Sequence, residues 1–153
     1  MATEWEEIKT KCKERRYSEV LSIIEQIESR TPLCPPLLVL RGRCMQLDED
    51  TVSELSAIEQ AFRQALLIDE HYSPALLELG WFYLNVLDDP KEAAAFFERA
   101  IATTRFALTE EVIGMAKCLS SMKTKDAAKL FIDEIQKSLL DQSQIGRALD
   151  EIE

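Results

Sequence analysis

Three phenylalanines set the terms for what this chain can fold into. Phe62, Phe97 and Phe131 stand 35 and 34 residues apart, and Ala65 and Ala100 repeat the 35. Four residues before Phe97 is Ala93, and four before Phe131 is Ala127, while the place before Phe62 holds Ile58. Gly42 and Gly80 precede the first two phenylalanines in matching places. A fixed period of this length means one structural unit used several times, each burying its apolar face only against its neighbours.

The unit is a pair of helices. Apolar residues recur at three and four along the chain, and no stretch keeps the strict alternation of a half-buried strand. The first helix is expected over 3–16, with a Thr3/Glu6 capping box and a stripe of Trp5, Ile8 and Cys12. The second, over 18–30, carries Val20, Ile23, Ile24 and Ile27 and stops at Thr31-Pro32. The third, over 36–47, follows Pro35-Pro36 with Leu37, Leu40, Cys44 and Leu47; Thr51 and Glu54 cap a fourth that ends at Ile68. The fifth runs over 73–87 from Ser73-Pro74, and Asp89-Pro90-Lys91-Glu92 opens the sixth with a cap, a proline and an acidic residue at the positive end of the helix dipole. Further helices are expected over 108–122 and 125–139, with a short polar one over 142–151.

This pattern resembles the tetratricopeptide repeat family. The match is best over 74–105, where Leu76, Leu79, Gly80 and Tyr83 in one helix and Ala93, Phe97 and Ala100 in the next reproduce the family signature. The resemblance implies an all-α fold, a right-handed superhelical array of antiparallel helix pairs forming one domain over 1–153. The repeats would be 3–34 (degenerate), 36–69, 73–105 and 108–139, with a capping helix over 141–153. It also explains a glycine inside an apolar helix, which costs about 1 kcal/mol relative to alanine: Gly80 is expected to face Ala93 and Ala100 where two helices approach closely, with Tyr83 and Phe97 filling the space beside them. In the last pair, Ala116 is preferred to Gly114 at the equivalent place.

Composition removes several functions. The 153 residues carry a formal net charge of −10, so the surface repels phosphate backbones and anionic membranes, and a cationic or neutral protein partner suits it better. No segment has the length and apolarity of a membrane span, the first residues lack a secretory pattern, and the chain is expected to be soluble and cytoplasmic. Cys12, Cys34, Cys44 and Cys118 have neither metal-site nor redox-motif spacing and read as free thiols. His71, the single histidine, sits in a turn; the Asp48-Glu49-Asp50 loop lacks the glycine and alternating ligands of a calcium site. The basic stretch at 9–16 lies in the last turns of a helix, where cations complement the dipole. No catalytic residue, cofactor or metal is expected.

What remains is a surface. In the family, the concave side is lined mainly by the first helix of each pair, which nominates Val39, Leu40, Arg43 and Gln46, then Leu77, Glu78, Trp81, Leu84 and Asn85, then Ile113 and Lys117, with Glu6 and Thr10 from the first pair. A lysine-and-asparagine clamp for a terminal carboxylate, known in some family members, has no match here. The groove would hold an apolar segment with some acidic residues, anchored on Trp81 and flanked by Arg43 and Lys117. The competing reading makes Trp81, Leu77 and Leu40 ordinary core, covered by neighbouring helices or by the terminal helix. The expected function is a non-catalytic protein-interaction module that binds a peptide or protein segment. Alternatives are a dedicated cytoplasmic chaperone resembling those of type III secretion translocators, or a self-assembling structural subunit.

Overall fold

Two of the helix starts carry a side-chain cap. Asp89 Oδ1 accepts the Glu92 N–H at 3.1 Å, as a cap requires, and Thr124 Oγ1 accepts the Ala127 N–H at 3.1 Å. Arg15 and Asp88 take left-handed backbone at φ 59° and 53°, closing the first and fifth helices. The computed structural model describes residues 2–49, 53–122 and 124–138. Among them are seven helices and no strand: α1 (Ala2–Lys13), α2 (Tyr17–Glu28), α3 (Pro35–Leu47), α4 (Leu55–Ile68), α5 (Ser73–Asn85), α6 (Pro90–Met122) and α7 (Lys125–Ser138).

The backbone forms two compact units, Met1–Thr104 and Arg105–Glu153. In the first, each of α1 to α4 packs on the next in sequence, and α3 also touches α5. The first turns of α6 belong to this unit and run antiparallel to α5. Ser73 Oγ and Thr104 Oγ1 are 3.1 Å apart at one end, and the Asp89 N–H donates to the Tyr83 carbonyl at the other. In the second unit, α7 begins at its Thr124 cap and buries Ala128.

The phenylalanine period has a direct structural counterpart. A Cβ placed on Gly80 would lie 2.6 Å from Phe97 Cε1, and one on Gly42 would strike the Phe62 ring in the same way. The same contact thus recurs in α3/α4 and α5/α6: an aromatic ring seated on bare helix backbone. The expected neighbours of Gly80, Ala93 and Ala100, are buried, yet the nearest atoms belong to Phe97.

Several expectations change. The predicted break before residue 108 is absent and α6 continues to Met122, because nothing between 103 and 109 stops a helix. The Thr103 and Thr109 hydroxyls donate to carbonyls one turn back, at 3.0 and 2.7 Å, without interrupting it. The fourth pair, drawn over 108–139, therefore does not begin with a separate helix. α4 starts at Leu55 with extended Glu54 as its N-cap residue, so Glu54 cannot be the third helical residue of a Thr51 capping box; Thr51 itself lies outside the described residues. Tyr72, rather than Ser73, is the N-cap residue of α5. Trp5 is exposed beside buried Ile8. The expected helix over 142–151 falls wholly outside the described residues.

The register of α3 also differs. Its buried side is Leu38, Val39, Gly42 and Cys44, with Leu37 and Leu40 half-buried and Leu47 exposed. Residues 35–40 are all apolar, so periodicity has nothing polar against which to choose a face.

Candidate functional site

Exposed apolar side chains lie together where α5 meets the start of α6. Trp81 is 49 % exposed and Leu77, one turn before it, 41 %. The Trp81 indole meets the Phe97 ring edge-on, with centroids 5.0 Å apart and planes at 73°. Ile101, one turn beyond Phe97, is 62 % exposed. Because α5 and α6 are antiparallel, these four side chains follow one seam.

The seam is backed by specific contacts. Phe97 rests on Gly80, which leaves its ring only half-buried. On the other side of α6, Phe96 is buried against Tyr83, with ring centroids 5.5 Å apart. Tyr83 donates its hydroxyl hydrogen to Glu59 Oε1 at 2.7 Å, and Arg63 donates to Glu59 at 2.5 Å and to the Tyr83 oxygen at 2.9 Å. The Arg63 guanidinium also lies 5.7 Å from the Phe96 ring centre. Partial burial would raise the Glu59 pKa, but the hydrogen bonds from Tyr83 and Arg63 outweigh it and hold the carboxyl below its ordinary value.

Of the nominated residues, the structure brings Leu77, Glu78 and Trp81 together on α5 and ties them to α3 through Arg43. Its Nε donates to Glu78 Oε1 at 2.6 Å. Glu78 is largely covered by this pair, while Asn85 is exposed and Leu84 half-buried. Val39 has to be withdrawn from the surface: at 4 % exposure it is core, the consequence of the shifted α3 register. Leu40 is half-buried against the same core, Gln46 is exposed, and Leu77 and Trp81 are exposed; the terminal helix that the covered-core reading invokes lies outside the described residues. Ile113 and Lys117 are exposed on the part of α6 that belongs to the second unit. Glu6 pairs with Lys9 at 2.8 Å, and the Thr10 hydroxyl donates to the Glu6 carbonyl.

Phe97 and Ile101 were not nominated, although a signal for them existed. Adjacent helical residues point about 100° apart, so Phe96 and Phe97 cannot both enter one core.

Elsewhere the chemistry is quiet. His71 is exposed, its N–H bonded to Asp69 Oδ1 at 3.0 Å. The basic stretch is closed by carboxylates: Lys11 lies 2.5 Å from Glu19, whose pKa that hydrogen bond lowers, and Arg16 pairs with Glu14 and Glu19. Cys44 is buried and its thiol is pushed up to about 12 by desolvation, while Cys34 and Cys118 are exposed. Among the described residues no group of three His, Cys, Asp or Glu could hold a metal ion, and no helix is long and apolar enough to cross a membrane. A groove of about 390 Å³ runs between α4 and α6 past Arg63, Leu67, Phe96 and Arg99.

Compared with known proteins, the chain matches no family model, no curated sequence and no solved structure.

Proposed function

We propose that the chain is a tetratricopeptide-like helical array, non-catalytic, that binds a protein segment across the seam of Leu77, Trp81, Phe97 and Ile101. The observation that carries the reading is Trp81: half its surface meets water while its ring is held edge-on by Phe97. Large apolar side chains gathered at one surface are uncommon unless something covers them, and tryptophan is among the residues that anchor protein interfaces. The recurrence of the glycine-to-phenylalanine contact, with its phenylalanines 35 residues apart, supports the array. The Arg43–Glu78 pair between α3 and α5 holds neighbouring first helices together beside the seam.

A pull-down from native lysate tests this, comparing wild type with Trp81→Ala and Ile101→Ser and checking each variant by circular dichroism. A protein retained by wild type and lost by both folded variants is the expected result. Equal retention by all three would remove the seam as the binding surface.

A further inference from the structure

Resting on that reading, we infer that the segment taken by the seam is basic and amphipathic, with apolar side chains that cover Trp81 and lysines or arginines that meet surrounding carboxylates. The sign follows from how the structure spends its cations. Between residues 35 and 104 the chain has 5 Lys and Arg against 12 Asp and Glu. Arg41, Arg43 and Arg63 are closed on Glu28, Glu78 and Glu59, Arg99 donates to the Glu70 carbonyl, and Lys91 is exposed in the first turn of α6, next in sequence to the acidic Asp88, Asp89 and Glu92.

Carboxylates therefore outnumber cations in the helices and turn that build the seam, residues 73–104. Glu98, next to Phe97 in sequence, is exposed, and so are Asp88 and Asp89 in the turn that joins α5 to α6. Arg43 and Lys117 suggest some acidic residues in the partner from the sequence, but Arg43 is paired with Glu78 and Lys117 belongs to the second unit. An acidic segment would have to displace Glu78 from Arg43 and approach the other carboxylates, whereas a basic one meets complementary charge without breaking an ion pair. Complementary fields also raise association rates and exclude like-charged competitors.

Two fluorescein-labelled synthetic peptides test the inference. They share one leucine pattern at helical spacing, and carry either lysine or glutamate at every polar position. Binding is read by anisotropy, and independently by Trp81 emission in a Trp5→Phe protein, where Trp81 is the single tryptophan. The lysine peptide is expected to bind at least about tenfold more tightly than the glutamate peptide, a gap of about 1.4 kcal/mol. Glu98→Lys should narrow that gap, while Trp81→Ala and Ile101→Ser should weaken the lysine peptide about tenfold. If both peptides bind equally and both depend on Trp81 and Ile101, the charge inference fails and the seam stands. If the lysine peptide binds Trp81→Ala and Ile101→Ser as well as wild type, the field alone attracts it and the seam falls too. If neither peptide binds, the inference is overturned.

Discussion

Gly80 shows how little room the core leaves. Alanine has the higher helix propensity by about 1 kcal/mol, yet its methyl group would enter the Phe97 ring, with the nearest contact at 2.6 Å. Overpacking dominates, so Gly80→Ala should destabilise by about 2 kcal/mol net, and Phe97→Leu added to it should recover part of the loss. Urea denaturation measures both. Cys44 makes a second case. Its thiol is buried and pushed up to about 12, so a thiol reagent at neutral pH should label Cys34 and Cys118 quickly and Cys44 only as the protein unfolds. Fast labelling of Cys44 in native conditions would contradict its burial.

Helix α6 was legible at its start and misread further along. Asp89 and Pro90 announce the beginning through cap chemistry that depends on neighbouring residues alone. A stop needs equally local chemistry, and the stretch from Thr103 to Thr109 contains no glycine or proline to provide it. The two readings differ at Ala107. In a turn before residue 108, Ala107→Pro would be close to neutral; inside a continuous α6 it removes a backbone hydrogen bond and costs about 3 kcal/mol. A clear loss of helical circular dichroism is expected. The α3 register failed for a different reason: six consecutive apolar residues carry no facing information, and contacts chiefly with α2 and α4 decide which of them are buried.

Charge acts on the molecule as a whole. With a formal net charge of −10, self-repulsion opposes compaction, so raising sodium chloride from about 20 to about 200 mM should raise the melting temperature as carboxylates are screened. Superimposed on this is the Glu59 network. A carboxyl held below its ordinary pKa in the folded state contributes stability above its unfolded value, and that contribution is lost as pH falls through the folded one. Glu59→Gln should therefore be less stable than wild type at pH 7, with the difference shrinking below about pH 4.5, the ordinary value. Thermal unfolding across that range measures it; a difference independent of pH would mean that the carboxylate charge contributes nothing.

The chain alone determined its helical class, most of the turns, the 35-residue period and the role of glycine in close packing, because helix periodicity, caps and small-residue spacing are local patterns. It also singled out Trp81. Only tertiary structure decided that Trp81 is half-exposed against Phe97, that Phe97 and Ile101 extend its surface, that Val39 does not belong to it, and that Arg43 is spent on Glu78. Each of those depends on which side of a helix a neighbouring helix covers, and residues such as Arg43 and Glu78, 35 positions apart, meet only when α3 and α5 pack.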